Sequence, residues 1–335
     1  MQRRRDPVER ADDESRDLYE VSTWEPRTAV DRLSYLIYAA INYGLHAIVL
    51  AVALGITLVI LVQPAVLLLA EPWLGVFFAL SVVPAALLAA FIWYTDVTSS
   101  EPLGLVVATF VLAILFATFA AVVNTAMQPY LEAIPLVGTV LFFVLIVGPI
   151  EESVKLLAVR IFAYRSDTFD AVIDGAVYGA IAGLGFAAFE NALYITNHVL
   201  QSQTGLVTAA TGIATVRALV GPGHVIFSAI AGYYLGLAKF NGEHAGPLVV
   251  KGLLIAALVH ATYNSLAGFL PSLVATVSPV TFGVAQVSYV ALFNVAIGAF
   301  LYRKLDRYRR TYRSVRDDVA DTSRSELTEF EPPQR

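Results

Sequence analysis

The run LVGTVLFFVLIVGPIEESVKLLAVRIF, residues 136–162, places two adjacent carboxylates, Glu151 and Glu152, in a stretch long enough to cross a membrane. Nearly all of the fifteen residues that precede the pair are apolar. One carboxylate at the centre of a membrane-spanning helix costs about 2.5–3.5 kcal/mol on insertion scales. The stretch therefore predicts a transmembrane helix whose acidic pair has either a partner or a function.

Lys155 is the nearest candidate partner for the two carboxylates. It lies four residues after Glu151 and three after Glu152, so a helix brings its ammonium group beside both. A structural ion pair is therefore one interpretation of the three residues. Two acids and one base leave one carboxylate over, and this favours a functional role.

The composition is typical of a polytopic membrane protein. The 335 residues are 57% hydrophobic and 15% charged, whereas soluble domains have about 25% charged residues. Of the 22 Lys and Arg residues, seven lie before residue 33 and nine from Arg303 onward. We predict an all-α, multi-pass protein of the cell membrane with about eight transmembrane helices. The predicted spans are 46–69, 74–94, 102–123, 136–162, 174–196, 217–238, 248–270 and 279–302.

The charged ends of the chain are predicted to lie outside the membrane domain. Residues 1–30 are polar and charged, which predicts a disordered cytoplasmic tail. Residues 31–303 form the predicted transmembrane domain, and residues 304–335 form a second cytoplasmic tail. Residues 31–45 are predicted to be either a short interfacial helix or the first turns of the first span.

The basic residues predict the orientation of the chain in the membrane. Cytoplasmic loops carry an excess of Lys and Arg, both termini are rich in Arg, and eight spans place them on one side. Both termini are therefore predicted to be cytoplasmic. The predicted outer loops lack Lys and Arg and lie at 70–73, 124–135, 197–206 and 271–278.

Several kinds of function are excluded by composition. The chain has no cysteine, which excludes disulfides, thiolate metal sites and cysteine catalysis. The formal net charge of -5 comes from acidic tails and loops and indicates no nucleic-acid partner. The composition predicts that the transmembrane domain is surrounded by the lipid bilayer.

Polar residues in four consecutive predicted spans indicate a buried site. The predicted topology places them at similar depths, between the midplane and the outer surface, so that three carboxylates and two imidazoles could meet in one cavity. Such a set can activate a water or bind a metal through nitrogen and oxygen ligands. The residues are Glu151, Glu152 and Lys155; Glu190 and Asn191; Arg217 and His224; and His260 and Asn264.

Other residues have a simpler interpretation. His198 and His244 lie near span ends and are predicted to have no special role. Four glycines in spans five and six are predicted to allow close helix packing rather than to bind a ligand. They are Gly183, Gly185, Gly232 and Gly236.

The order of these motifs resembles the PrsW family of intramembrane proteases, which is similar in fold to the CAAX prenyl endopeptidases and the bacteriocin-processing enzymes. Each motif alone is weak, but four in this order, each in a separate span, are specific. The resemblance covers about residues 136–270. The motifs are E-E-x-x-K from Glu151, F-x-x-F-E-N from Phe186, the isolated His224, and H-x-x-x-N from His260.

The resemblance implies an intramembrane endopeptidase that hydrolyses a peptide bond of a membrane or membrane-proximal protein. In relatives of the CAAX type a glutamate and a histidine activate water. Carried over, this gives Glu151, with Glu152, the role of the base, while His260 and Asn264 polarise the carbonyl and His224 assists. The predicted catalytic residues are thus Glu151, Glu152, Glu190, His224, His260 and Asn264. The predicted supporting residues are Lys155, Phe186, Asn191 and Arg217.

The cofactor is left open by the sequence. Relatives of the CAAX type have His where this chain has Glu190, so that Glu152, Glu190, His224 and His260 could equally hold a divalent metal such as zinc. The PrsW group is described as metalloprotease, yet the chain has no H-E-x-x-H motif. Metal-free glutamate chemistry and metal chemistry both stay possible.

The substrate that the family suggests is an anti-sigma-factor-like protein with a single membrane span. Two other classes of function compete with the protease. One is an inactive scaffold of the same fold, and the other is an ion-coupled or proton-coupled transporter that uses the intramembrane charges. A transporter would predict repeated halves or paired broken helices, and the sequence has neither.

Overall fold

The structure is a computed structural model that describes residues 27–98 and 101–328. Most of the predicted N-terminal tail and the last seven residues lie outside this range. Every regular element of the described residues is helical, which confirms the all-α prediction. The α-helices of this range are α1 (Ala29–Ala70), α2 (Leu74–Tyr94), α3 (Leu103–Glu132), α4 (Gly138–Phe142), α5 (Gly148–Ile161), α6 (Val172–Gln201), α7 (Leu206–Phe240), α8 (Ala245–Val277) and α9 (Phe282–Thr328).

The chain divides into two compact units, residues 1–55 and 56–335. In the first unit, Thr28 and Asp31 cap the start of α1. The Thr28 N–H donates to the Asp31 carboxylate (2.8 Å), and the Asp31 N–H donates to Thr28 Oγ1 (3.1 Å). This reciprocal cap begins the helix, so residues 31–45 are the first turns of α1. The second unit contains every helix from α2 onward.

Seven helices of the described residues are long and apolar enough to cross a membrane. They match seven of the eight predicted spans and confirm a multi-pass membrane protein. The predicted fourth span is also helical, but it consists of α4, a π-helical segment (Phe143–Val147) and α5. No single helix there is long enough to count as a span.

The helices extend beyond the predicted spans because hydropathy marks only their apolar part. Helix α7 begins at Leu206, well before the predicted start at 217. Helix α3 continues to Glu132, so most of the predicted outer loop 124–135 is helical. Helix α9 continues to Thr328, past the predicted boundary at 303. The division into membrane domain and tails stays a prediction.

The break in the fourth segment positions the acidic pair. Pro149 lies in the first turn of α5, where a helix tolerates its missing N–H. The π-helical segment before it is a feature found frequently at functional sites. A Cβ on Gly148 would collide with the carbonyl oxygen of Ala257 on α8. Helix α5 therefore starts in direct contact with α8, and Glu151 and Glu152 lie at this contact.

Glycines bring α6 and α7 into direct backbone contact. On α6, Gly175, Gly179 and Gly183 recur every fourth residue, and a Cβ on each of the three would collide with a backbone atom of α7. The predicted packing role of the four glycines is confirmed, with Gly185 facing α3 rather than α7. The contact fixes the depth of polar side chains on α6 relative to those on α7. The facing glycines are Gly175, Gly179 and Gly183 on α6 and Gly232 and Gly236 on α7.

Helix α6 is the central helix of the second unit. In the most apolar stretch of α6, 83% of the residues are buried, whereas in the most apolar stretch of α9 only 17% are. Polar side chains on α6 are therefore surrounded by protein, where they can find partners, rather than by lipid.

We predict that Gly179→Ala destabilises the protein, because the added methyl group would collide with the Ser228 carbonyl oxygen. The expected loss is roughly 1–3 kcal/mol, measured as a lower Tm of the full chain in detergent. Gly268→Ala on α8 is the matched control, since a Cβ there has no atom within 4 Å. It should keep or raise the Tm, because alanine favours helices over glycine by about 1 kcal/mol. Equal Tm values for the two variants would contradict the packing.

Candidate active site

The residues predicted from the sequence converge on one cavity of the second unit, with a volume of about 530 Å³. Helices α3 to α8 supply its walls. Three of the ten predicted residues, Glu152, Lys155 and Asn191, are buried behind the wall. The other seven line the cavity: Glu151, Phe186, Glu190, Arg217, His224, His260 and Asn264.

The cavity extends from these polar groups to the surface of the protein. Aromatic side chains form much of its wall, including Phe142, Phe143 and Tyr194. Its far end is lined by Gln128 and Glu132, exposed side chains at the C-terminal end of α3. The site is thus reached from the end of the bundle at which α3 and α6 terminate.

Glu152 is the most enclosed carboxylate of the site, with no exposed surface. Its Oε1 accepts hydrogen bonds from Lys155 Nζ (2.7 Å) and His260 Nδ1 (2.8 Å). Its Oε2 accepts one from Ser228 Oγ (3.3 Å). A buried carboxylate requires a counter-charge and hydrogen bonds, and Lys155 supplies the charge. The structural ion pair considered from the sequence is therefore the pair of Glu152 and Lys155.

The contact with Glu152 sets the orientation of the His260 ring. An ionised carboxylate only accepts hydrogen bonds, so Nδ1 of His260 carries the hydrogen. The neutral imidazole then has its lone pair on Nε2. This atom lies 3.8 Å from Oε2 of Glu151, and the ring packs against that of Phe227 with 5.4 Å between centroids.

Of the two adjacent carboxylates, Glu151 makes the longer contact with Lys155. Its Oε1 accepts a hydrogen bond from Asn124 Nδ2 (3.0 Å). Its Oε2 is buried and accepts no hydrogen bond from the described residues. The nearest basic atoms are Lys155 Nζ at 3.7 Å and His260 Nε2 at 3.8 Å. Glu151 thus lines the cavity with one carboxylate oxygen that accepts no hydrogen bond from the described residues, and two basic atoms lie within 4 Å of that oxygen.

His224 lies between a cation and a carboxylate. Its Nδ1 is 3.0 Å from Lys155 Nζ, and its Nε2 is 3.0 Å from Glu190 Oε2. Since an ammonium group only donates, Nδ1 accepts and Nε2 carries the hydrogen that is donated to Glu190. The same ammonium lies 4.1 Å from the centre of the Phe186 ring, a cation–π contact. Phe186 thus supports the site through Lys155.

Arg217 fixes Glu190 and connects the site to α2. Its Nη2 donates to Glu190 Oε2 (2.8 Å), and its Nε donates to Asn191 Oδ1 (2.8 Å). Asn191 Nδ2 in turn donates to the Ser81 carbonyl oxygen (3.0 Å). Glu190 therefore has a counter-charge of its own, independent of Lys155.

Three residues of this network were missed by the sequence analysis. Asn124 falls at the start of a predicted loop, and only the extension of α3 brings it to the site. Ser228 lies four residues after His224, on the same helix face, and this spacing could have indicated it. Nothing in the sequence indicates Ser81, because its contact with Asn191 joins helices that are distant in the chain.

The site contains a set of donors that fits a divalent metal. One donor atom from each of Glu151, His224 and His260 lies within 4.8 Å of the other two. One carboxylate oxygen and two imidazole nitrogens form a donor set typical of catalytic zinc. The Oε2 of Glu151 and the lone pair of His260 Nε2 suit this role. The hydrogen bond from His260 to Glu152 is of the kind that orients metal-binding histidines.

The two histidines of this set, His224 and His260, were also expected from the sequence to be metal ligands. The set has Glu151 where the sequence analysis expected Glu152 and Glu190. Glu152 directs its oxygens to Lys155, His260 and Ser228. Asn264 lies in the cavity wall on α8, one helical turn after His260.

Comparison with known proteins identifies relatives of this chain. A family model described as PrsW family intramembrane metalloprotease matches residues 101–296, more than half of the chain. Protease PrsW of Halalkalibacterium halodurans is 30% identical over 194 residues, which cover 56% of this chain and 80% of that protein. Protease PrsW of Bacillus subtilis is 31% identical over 187 residues, covering 55% and 78%. No solved structure matches the chain significantly.

The matched region begins just before α3 and ends within α9, so it includes every helix that lines the cavity. The site residues thus lie within the part of the chain that the family shares. The chain belongs to the PrsW family of intramembrane metalloproteases, and it is a multi-pass intramembrane endopeptidase.

Proposed function

We propose that Glu151 and His260 activate the water that hydrolyses the peptide bond. The observation that carries this proposal is that Glu151 Oε2 accepts no hydrogen bond from the described residues and lies 3.8 Å from His260 Nε2. Both atoms accept hydrogen bonds, so a water about 2.8 Å from each could donate one to both. The water oxygen then attacks the carbonyl carbon, and Glu151 takes the proton and passes it to the leaving amine nitrogen.

We further propose that a divalent metal, when bound, is held by Glu151, His224 and His260, with zinc as the element that the donors suit best. It would occupy the lone pairs of Glu151 Oε2 and His260 Nε2 that otherwise accept hydrogen bonds from the water. Bound there, the metal would supply a Lewis acid that polarises the scissile carbonyl. A neutral imidazole binds a metal through its lone pair, so His224 would bind through Nε2 only as its other tautomer. The Nε2 proton would then pass to Glu190, whose Oε2 lies 3.0 Å away, and Nδ1 would take a proton from Lys155 Nζ, also 3.0 Å away.

The remaining residues position these groups or stabilise charge. Glu152 and Lys155 orient the two imidazoles, and Arg217 holds Glu190. Asn264 follows His260 by one helical turn and lines the cavity. We assign its amide to the oxyanion that forms on the carbonyl oxygen, a role in which one donor contributes about 10²–10³-fold to the rate.

An intramembrane protease acts on a membrane protein within the bilayer. We propose that the substrate here is a single-span protein of the anti-sigma-factor kind, the class that the resemblance implies. The aromatic wall of the cavity suits an apolar segment of such a protein. Neither alternative class is favoured, because the family match extends over a complete set of motif residues around one cavity.

We predict that Glu151→Gln reduces cleavage by about 10²–10⁴-fold, because the amide keeps the shape of the side chain and removes the base. The measurement is immunoblot of a single-span substrate co-expressed with the full chain, normalised to the amount of folded protease. Glu243→Gln, at an exposed position, is the matched control and should cleave normally, as should His244→Ala. A correctly folded Glu151→Gln protein that cleaves at the wild-type rate would refute the proposed base.

We also propose that both termini are cytoplasmic, and the lack of cysteine makes this simple to test. Gln203 and Glu243 are exposed at opposite ends of α7, about 50 Å apart along a helix of 35 residues. A single cysteine at Gln203 should react with an impermeant maleimide in intact cells. Cysteines at Glu243 and Arg313 should react only after permeabilisation. Labelling of the cysteine at position 313 in intact cells would contradict the proposed orientation.

A further inference from the structure

A second cluster of acidic side chains lies outside the active site. Asp96 and Glu101 belong to the connection between α2 and α3, and Asp174 lies in the first turn of α6. One carboxylate oxygen from each lies within 4.8 Å of the other two. Asp174 precedes Glu190 by sixteen residues of α6, which is about 24 Å along the helix axis. The cluster is therefore separate from the catalytic cavity.

Hydrogen bonds account for only part of the oxygens in this cluster. The Asp174 Oδ2 accepts from the backbone N–H groups of Asp170 (2.8 Å) and Ala171 (2.9 Å), so this side chain caps α6. The Asp96 Oδ1 accepts from the hydroxyl (2.7 Å) and the N–H (2.9 Å) of Thr98. The same hydroxyl lies 3.3 Å from Asp174 Oδ1. Capping thus explains Asp174 but not its two acidic neighbours.

Glu101 is the residue that points to a ligand. Only 4% of its surface is exposed, and neither of its carboxylate oxygens accepts a hydrogen bond from the described residues. Oδ2 of Asp96 is likewise buried without a hydrogen bond. The hydroxyl of Tyr178 lies near Glu101 but outside hydrogen-bonding geometry, and it also has no partner among the described residues.

No basic side chain of the described residues forms an ion pair with any of the three carboxylates. Lys239 is near Asp174, but its ammonium group donates to two backbone carbonyl oxygens. The three carboxylates lie within 4.8 Å of one another and repel each other, and burying such a group without a counter-charge is costly. A cation among the carboxylates would offset this cost, because an opposite charge favours the ionised form.

We propose that Asp96, Glu101 and Asp174 bind a hard divalent cation, Mg²⁺ or Ca²⁺, which joins the α2–α3 connection to the start of α6. All of the donors are oxygens, and these ions prefer oxygen ligands. The hydroxyls of Tyr178 and Thr98 lie beside the carboxylates as further neutral oxygens. The site differs in kind from the catalytic centre, whose donors include two imidazoles. Its effect is to fasten the N-terminal end of the central helix.

The test is the Tm of the full chain in neutral detergent, after chelator treatment, during titration with MgCl₂ or CaCl₂. We expect a saturable rise of roughly 5 °C, since a ligand that binds only the folded state stabilises it. The ion with the lower midpoint concentration is the preferred ligand. NaCl at equal ionic strength should give no comparable rise.

Glu101→Gln removes the charge of one ligand and should abolish the response, and Asp96→Asn should do the same if Glu101→Gln does not fold. Asp167→Asn, which changes an exposed acid in the α5–α6 connection, is the matched control and should respond as the wild type does. Glu151→Gln should also keep the response, which separates this site from the proposed catalytic centre. A wild-type Tm that rises no more than with NaCl would overturn the proposal, as would a full response in the Glu101 and Asp96 variants.

Discussion

The buried ion pair between Glu152 and Lys155 is the interaction on which the geometry of the active site depends. The two charges are 2.7 Å apart, and at most 1% of either residue is exposed. Each partner holds one imidazole, since Glu152 accepts from His260 and Lys155 donates to His224. Loss of either partner would leave an unpaired buried charge, at a cost of roughly 3–5 kcal/mol. Because Glu152 takes the lysine, Glu151 keeps one oxygen for the cavity.

The contacts of this ion pair with the two imidazoles depend on a close approach of the helix backbones. Glycines at the α6–α7 contact and Gly148 at the α5–α8 contact remove the side chains that would separate these helices. Lipid supplies no hydrogen bonds, so polar groups of a membrane protein must find partners within the protein. Small residues therefore do more here than fill space, because they bring carboxylates, imidazoles and the lysine within hydrogen-bonding distance.

The sequence was sufficient for the helical class, the location of the spans and the set of polar residues that meet. These follow from hydropathy and from the order of four short motifs. The different roles of Glu151 and Glu152 could not be predicted, because adjacent helical residues point about 100° apart and their directions depend on the π-helical segment before them. The contact of Asn124 was missed because hydropathy ended the third span before α3 ends. The cluster around Glu101 depends on a loop folding back onto α6, which no local pattern indicates.

The metal content of the purified full chain tests this division of roles most directly. If Glu151 and the two imidazoles are the free donors, elemental analysis should find about one equivalent of a divalent transition metal per wild-type chain. The content should be similar in Glu243→Gln and at least about tenfold lower in Glu151→Gln and His260→Ala, each of which removes a ligand. A wild-type protein with less than about a tenth of an equivalent, whose cleavage survives chelation, would contradict the assignment of Glu151, His224 and His260 as metal ligands, as would full metal content in Glu151→Gln.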